Sequence, residues 1–199
     1  MRGVFVAVEG PNGVGKTTSA AGLTARLRER GIPVLLTTEP SDTPLGKLSR
    51  SGESGMVGRA LALAIAADRA AHVQSEIEPA LAGGTWVISD RYLPSSLVLQ
   101  RLDGMELEEI WTYNAFAPPP AVTFYLDHDP AIIRARLDER RHRSRLERIG
   151  SPEQEVALYG DAFRFLEGRG WRQSRIDCRD RTPAEVVLFM TNVLDQLDP

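Results

Sequence analysis

The sequence predicts an α/β fold in which helices cover both faces of a parallel sheet. Short apolar runs typical of strands alternate with longer helical stretches along the 199 residues, and this alternation favours parallel strands joined by helices. A glycine-rich segment also stands directly between the first apolar run and the first helical stretch. The length suits one domain over residues 1–199, with room for a small mobile insertion.

The predicted elements follow one another in a regular order. Apolar runs of β type indicate strands at residues 4–8, 34–38, 86–89, 122–126 and 175–178. The stretches between them indicate helices at about 16–30, 58–82, 106–116, 130–141, 153–168 and 183–197. Thr182 and Pro183, followed by Glu185, predict the start of the last helix. The stretches 41–58, 101–105 and 140–148 are predicted to be irregular.

The composition argues against several functional classes. The net charge of −3 provides no general attraction to nucleic acid or to an anionic membrane. The longest apolar runs are too short or too interrupted for a membrane-spanning helix. Residues 1–8 look like a strand rather than a signal peptide, and Cys178 is the single cysteine. We therefore expect a cytoplasmic protein without an intramolecular disulfide.

The glycine-rich segment matches the full P-loop pattern G-x-x-x-x-G-K-[ST] between a buried strand and a helix. Its glycines let backbone N–H groups wrap phosphates, and the helix N-terminus adds a partial positive charge. Lys16 is expected to reach the β- and γ-phosphates of ATP, and the Thr17 hydroxyl is expected to hold Mg²⁺. The predicted ATP-binding residues are Gly10, Asn12, Gly13, Val14, Gly15, Lys16, Thr17 and Thr18.

The end of the third predicted strand separates the classes of P-loop protein. A GTPase is expected to carry Asn-Lys-x-Asp, and neither lysine of this chain stands in such a motif. A motor or transporter ATPase is expected to end this strand in Asp-Glu, whereas here it ends in Asp90 and Arg91. An arginine after the aspartate suits transfer to a bound phosphate better than attack by water. We therefore expect a kinase.

Further motifs along nearly the whole chain resemble the thymidylate kinase family. They are Thr38-Glu39-Pro40, Ala66-Ala67-Asp68-Arg69-Ala70, Asp90-Arg91-Tyr92, Ser95-Ser96 with Gln100, Tyr125-Leu126-Asp127, Ser144-Arg145-Leu146-Glu147 and Ile176-Asp177. The resemblance implies a P-loop kinase fold with a five-stranded parallel sheet and a short arginine-rich lid at about 140–150. It also implies ATP, Mg²⁺, nucleotide substrates and a homodimer. The implied reaction is phosphorylation of a pyrimidine nucleoside monophosphate, with dTMP as the leading acceptor.

The resemblance also assigns roles to individual residues. Thr17 and Asp90 match positions near the metal, and Gln100 matches a position close to the base, whose edge an amide can read as donor and acceptor. The implied catalytic residues are Lys16, Arg91 and, from the lid, Arg143 and Arg145, with Arg140 as the next candidate. The implied acceptor site contains Glu39, Arg50, Ile65, Arg69, Arg91, Ser96, Leu99 and Gln100.

Physical arguments support several of these roles and leave alternatives open. Arg69 lies in an alanine-rich helical stretch, where an unpaired charge is costly, and Asp68 cannot face it on the same helix. Its partner is therefore expected to be a ligand phosphate, with an ion pair elsewhere in the fold as the alternative. Asp90 and Arg91 close a strand at the carboxyl edge of the sheet, where ligands bind in α/β folds. A salt bridge that fixes this loop is the alternative for them.

The arginine-rich stretch between Arg134 and Arg148 also allows two interpretations. A run of charge is usually a solvated helix face. Here it coincides with the implied lid, where arginines would neutralise charge on the transferring phosphoryl group. We therefore favour a functional role for this stretch.

Three positions depart from the family pattern at the acceptor site. The family usually has an acidic residue where Asn12 stands and phenylalanine where Ile65 stands, and it often has tyrosine at the position of Leu99. The altered positions would face the nucleoside, so a pyrimidine ribonucleotide, or a modified one such as a 5-substituted CMP, is an alternative acceptor. Asn12 also leaves open a nucleotide-binding module without catalysis.

Overall fold

The computed structural model describes residues 2–140 and 144–197 and confirms the α/β architecture. Within these residues, one five-stranded parallel sheet has the order β2-β3-β1-β4-β5. Its strands are β1 (Phe5–Glu9), β2 (Val34–Thr38), β3 (Trp86–Asp90), β4 (Val122–Asp127) and β5 (Gln173–Asp177). Each predicted strand is present, with its ends shifted by at most two residues.

Helices connect the strands and flank the sheet. α3 (Arg59–His72) continues through a π-helical turn at Val73–Ile77 into α4 (Glu78–Ala82), so the helix predicted at 58–82 is one continuous element. No helix in the described ranges is long and apolar enough to cross a membrane. The other described helices are α1 (Lys16–Glu29), α2 (Pro44–Gly52), α5 (Leu93–Leu102), α6 (Leu107–Asn114), α7 (Pro130–Asp138), α8 (Arg145–Ile149), α9 (Pro152–Glu167) and α10 (Pro183–Leu194).

The alternation of side chains along β1 divides the core into two layers. Phe5 and Ala7 belong to a hydrophobic cluster with residues of α3 to α6 and α9. Val6 and Val8 belong to a second cluster with residues of α1, α7 and α10. Helices therefore cover both faces of the sheet, which is why every residue of β1 is buried.

The carboxyl ends of β1, β2 and β3 lie side by side and form the edge at which the site is built. Val8 of β1 and Thr38 of β2 both pair with Asp90 at the end of β3. The Arg91 N–H donates to the Val8 carbonyl at 3.0 Å, and the Glu39 N–H donates to the Asp90 carbonyl at 3.2 Å. This register brings the P-loop, which follows β1, next to the chain that leaves β3.

Three helices differ from the sequence prediction. α2 lies in the stretch 41–58 and α8 in the stretch that begins at 140, and both stretches were predicted to be irregular. α5 lies where no element was predicted. The predicted start of α10 is confirmed, because Thr182 and Glu185 form a reciprocal capping box.

The start of α2 carries a signal that was overlooked. Thr43 Oγ1 accepts from the Gly46 N–H at 3.2 Å, and Pro44 occupies the first turn. This is the same Thr-Pro pattern that correctly predicted α10. The turn before it is also held by Asp68 of α3, whose carboxylate accepts from the Thr43 hydroxyl at 2.7 Å.

The start of α5 has no local cap. Its first N–H groups are instead satisfied by Glu9 at the end of β1. Glu9 Oε1 accepts from the Tyr92 N–H at 2.6 Å and from the Ser95 N–H at 3.2 Å. A cap that comes from a distant strand leaves no pattern in the nearby sequence, and this explains why α5 was missed.

Candidate active site

The P-loop lines a cavity of about 430 Å³ at the carboxyl edge of the sheet. Residues 13–19 line this first cavity together with the end of β3. Gly10 and Gly15 have φ angles of 137° and 113°, in the region that glycine favours. A Cβ atom on Gly10 would lie 2.4 Å from the Leu126 carbonyl oxygen, so this turn requires glycine.

Lys16 is a buried cation in this loop. Its Nζ donates to the carbonyl oxygens of Gly10 and Pro11, both at 2.8 Å. Burial, followed by repulsion from the Arg91 guanidinium, lowers the pKa of Lys16 from 10.5 to about 7. Negative charge in the cavity would favour the protonated form again, so phosphates and a proton are expected to bind together.

Thr17 and Asp90 form an oxygen-rich pair between the P-loop and β3. Thr17 Oγ1 donates to Asp90 Oδ2 at 2.5 Å. The other carboxylate oxygen, Asp90 Oδ1, is buried without a hydrogen-bond partner, although buried polar atoms are usually paired. Hydroxyl and carboxylate oxygens are ligands that Mg²⁺ prefers, so this pair fits a divalent cation.

A second cavity of about 230 Å³ adjoins the first at Arg91. It is lined by residues that come from the end of β2 and from α2, α3 and α5. Gln100 is 1% exposed, and its Oε1 has no hydrogen-bond partner. Every residue that the resemblance assigned to the acceptor lines this cavity, namely Glu39, Arg50, Ile65, Arg69, Arg91, Ser96, Leu99 and Gln100.

Among the described residues, Arg91 is the one that lines both cavities. Its φ of 75° is uncommon for a residue with a side chain. Its guanidinium donates to Asn12 Oδ1 and, at 3.2 Å, to Ser95 Oγ. These partners are an amide and a hydroxyl rather than a carboxylate, so the described contacts give no support to the loop-fixing salt bridge.

Arg69 has the anionic partner that its burial demands, and that partner is a carboxylate of the protein. Its Nε donates to Glu39 Oε2 at 2.7 Å, and the two side chains are 1% and 3% exposed. Its other nitrogens donate to Asn114 Oδ1, to Ser96 Oγ at 2.9 Å and to the Tyr92 carbonyl at 3.3 Å. Arg69 therefore does not require a ligand phosphate to compensate its charge, because the alternative ion pair is formed.

Arg50 lies at the rim of the second cavity. Its side chain is 40% exposed and donates to the Pro40 carbonyl and, at 3.0 Å, to Asp42 Oδ1. Exposed ion pairs of this kind are weak and exchange easily with other partners. The position is compatible with the expected contact to an acceptor phosphate.

The described arginines of the arginine-rich segment lie in two different places. Arg136 and Arg140 line the first cavity. Arg145 lines neither described cavity, since it donates to both oxygens of Asp103, at 2.5 and 2.6 Å, and to the Glu53 carbonyl at 2.7 Å. A carboxylate at the end of α5 thus holds Arg145 in this structure, and its contact with the phosphates stays a prediction. Arg143 lies outside the described residues.

The family model for thymidylate kinase matches residues 8–157. The chain belongs to the thymidylate kinase family. A probable thymidylate kinase of Thermococcus kodakarensis is 39% identical over 164 residues, which cover 77% of this chain and 80% of that protein. A thymidylate kinase of Bifidobacterium longum is 44% identical over 166 residues, which cover 76% and 78% of the two chains.

Membership of the thymidylate kinase family confirms the predicted resemblance and the predicted class of enzyme. The chain is a nucleoside monophosphate kinase, which is a phosphotransferase. The five-stranded parallel sheet agrees with the P-loop kinase fold that this family implied.

Several side chains around the site of this thymidylate kinase family member were not predicted from the sequence. Arg181 lines the first cavity and follows β5, so its place after the carboxyl end of a strand was an available signal. Glu9 accepts from the Ser95 hydroxyl at 2.7 Å, and Glu155 contacts Asn12 of the P-loop. Glu155 has no such signal, because 143 residues separate it from its partner.

Proposed function

We propose that the chain transfers the γ-phosphate of ATP to the phosphate of dTMP in the presence of Mg²⁺, which forms dTDP and ADP. The observation that carries the proposal is the meeting of two cavities at one guanidinium, that of Arg91. The first cavity contains the P-loop, and the second has the lining of a small-molecule site, apolar side chains with a few polar groups. The names of the similar proteins support dTMP as the acceptor.

The first cavity suits the triphosphate of ATP. The backbone N–H groups of the P-loop and the start of α1 would wrap the phosphates. Lys16 would exchange its two carbonyl partners for phosphate oxygens. Arg136, Arg140 and Arg181 add positive charge along the walls.

Thr17 and Asp90 would hold Mg²⁺ beside these phosphates. When bound, the ion supplies positive charge that stabilises oxygens of the transferring phosphoryl group. The unpartnered Oδ1 of Asp90 supports this assignment, because a buried carboxylate oxygen otherwise lacks compensation.

The second cavity suits a pyrimidine nucleoside monophosphate. Leu61, Ile65 and Leu99 provide apolar surface for a base and a sugar, and Ser96 adds a hydroxyl. The unpartnered Oε1 of Gln100 requires a hydrogen-bond donor. The imide N–H of thymine or uracil is such a donor, whereas cytosine presents an acceptor at the same ring position. This lining supports thymine or uracil over cytosine.

Catalysis by these residues would depend on positioning and charge. An oxygen of the acceptor phosphate is already ionised, so no strong general base is required. Arg91 lies where donor and acceptor phosphates would meet, and Lys16 lies on the donor side. Arg143 stays our proposed arginine of the lid.

A coupled ADP-release assay with a panel of acceptors tests the proposal. We expect the highest kcat/KM with dTMP, lower values with dUMP and UMP, and the lowest with CMP and a 5-substituted CMP. A cytosine nucleotide as the best acceptor would contradict the role given to Gln100. Binding of ATP without turnover of any acceptor would show a nucleotide-binding module that lacks catalysis.

We also propose a homodimer in the cytoplasm. The family resemblance supports the homodimer, and the use of a single cysteine supports a reducing compartment. Light scattering should report twice the mass of one chain. A monomer at micromolar concentration would contradict this expectation.

A further inference from the structure

Glu155 is a buried carboxylate of α9 that contacts the P-loop. It is 3% exposed. Its Oε2 accepts from the backbone N–H of Asn12 at 2.7 Å, and its Oε1 accepts from Asn12 Nδ2 at 2.9 Å. A carboxylate is costly to bury unless its oxygens are hydrogen-bonded, and here one residue of the P-loop satisfies both of them.

The Asn12 amide extends this contact to Arg91. The Arg91 guanidinium donates to Asn12 Oδ1. Because an ionised carboxylate only accepts and a guanidinium only donates, these two neighbours determine which way the amide points. Residue 12 must therefore donate on one side and accept on the other, which asparagine can do and ionised aspartate cannot.

The Asn12 amide is the closer of the two described hydrogen-bond partners of the Arg91 guanidinium. The other described hydrogen bond of its guanidinium, to Ser95 Oγ, is longer at 3.2 Å. Arg91 is also the described residue that lines both cavities. A small displacement of this guanidinium would therefore change the region where the two substrates are proposed to meet.

We propose that Glu155 is a positioning residue for phosphoryl transfer, since it orients the Asn12 amide and the amide holds Arg91 where the two cavities meet. The inference rests on the proposed kinase activity. It also gives a reason for asparagine at position 12. Glu155 of α9 already places a carboxylate beside position 12, so a carboxylate at that position would face it at about the 2.9 Å that now separates Asn12 Nδ2 from Glu155.

The test exchanges the carboxylate and the amide between positions 155 and 12. Glu155→Gln and Asn12→Asp are each expected to lower kcat with dTMP by about 10- to 100-fold, because a misplaced guanidinium acts on the transfer step. For Glu155→Gln, the Kd for ATP is expected to change by less than about threefold. In the double variant, the new amide on α9 can donate to the new carboxylate of the P-loop. Its kcat is expected to return to within about fivefold of the wild type.

Measurements in an Arg91→Ala variant separate a positioning role of Glu155 from a general effect of Glu155 on stability. In Arg91→Ala, the additional change Glu155→Gln is expected to lower single-turnover rates by less than about twofold further. A carboxylate with a purely structural role would cost the same factor in both backgrounds. Glu153→Gln is the matched control, because Glu153 lies on the exposed side of the same helix and pairs with Arg134. Its activity should equal that of the wild type.

Three outcomes would overturn the inference. They are wild-type kcat in Glu155→Gln, a double variant no more active than the weaker single variant, and loss of folding in both single variants and the double variant. Thermal unfolding of each variant shows whether it is folded. If one single variant fails to fold, the kcat of a folded double variant still tests the inference. A wild type without turnover of any acceptor would instead overturn the proposed function.

Discussion

Lys16 combines burial with a place against the phosphate-binding loop, and this combination makes its protonation depend on the ligand. The side chain is 5% exposed, and its donors reach two backbone carbonyls rather than a carboxylate. Removal from water and the Arg91 charge both favour the neutral amine. The polyphosphate of ATP would bring the opposite charge into the same space. Charge and proton binding are therefore linked at this residue.

We predict that binding of Mg²⁺–ATP at about pH 8 takes up close to one proton. Since the pKa of Lys16 is about 7 in the structure, the amine is mostly neutral at that pH and becomes protonated beside the phosphates. Uptake should become small at about pH 6, where Lys16 is already protonated. Calorimetry in buffers of different ionisation enthalpy measures the number of protons.

Two variants control this measurement. Lys16→Arg keeps a cation that does not titrate in this range, so its uptake at about pH 8 should be near zero. Lys16→Ala should stay folded and lose turnover by about 10³-fold, because it removes a charge held on the transferring phosphates. Equal proton uptake in the wild type and Lys16→Arg would show that another group is responsible.

At the scale of elements, α8 in the proposed lid segment is fastened to the side of the molecule that contains the second cavity. Arg145 of α8 binds Asp103 at the C-terminal end of α5, and its Nε donates to the Glu53 carbonyl at the end of α2. Ser144 and Leu146, on either side of it, line the second cavity. The Arg145 guanidinium also lowers the pKa of the Asp103 carboxyl. These contacts form a clamp over the proposed acceptor site.

We predict that Arg145→Ala and Asp103→Asn have similar effects, because each opens the same clamp. Each should raise KM for dTMP by about tenfold, the cost expected for loss of a charge-assisted hydrogen bond. The double variant should be no worse than either single variant, because the residues act as one unit. Steady-state kinetics with both substrates provides the measurement. A loss of kcat in Arg145→Ala, with wild-type behaviour in Asp103→Asn, would place Arg145 on the phosphates instead.

At the scale of the whole molecule, one buried ion pair connects four parts of the fold. Arg69 of α3 reaches Glu39 after β2, the end of α6 through Asn114, and α5 through Ser96. Each partner comes from a different element that lines or supports the second cavity. Because the guanidinium is 1% exposed, removal of its carboxylate would leave a buried charge without compensation.

We predict that Glu39→Gln lowers the free energy of unfolding by about 3–5 kcal/mol, the range for breaking one partner of a buried pair. Urea denaturation measures this loss as a lower midpoint at an unchanged slope. Arg59→Ala is the matched control. Arg59 lies on α3, the helix that also carries Arg69, and it forms an exposed ion pair with Glu109. That variant should unfold at nearly the wild-type midpoint. A small loss in Glu39→Gln would show that water or another group compensates Arg69.

Local patterns in the sequence determined much of the fold and the phosphate-binding part of the site. The five strands, the continuous helix at 58–82 and the cap at Thr182 were predicted correctly, because period, propensity and capping act over a few residues. The P-loop was also recognisable, since its glycines and Lys16 act through their own backbone and near neighbours. Motif order along the chain identified the family.

Only the tertiary structure decided which partner each buried charge has. Glu39 lies 30 residues from Arg69, Asp103 lies 42 residues from Arg145, and Glu155 lies 143 residues from Asn12. No local spacing encodes such pairs, because they form where strand register and helix packing bring elements together. The start of α5 obeys the same rule, since its cap is Glu9 of another element. Burial makes an unpaired charge costly, so the fold must supply a partner, and its identity depends on contacts that only folding creates.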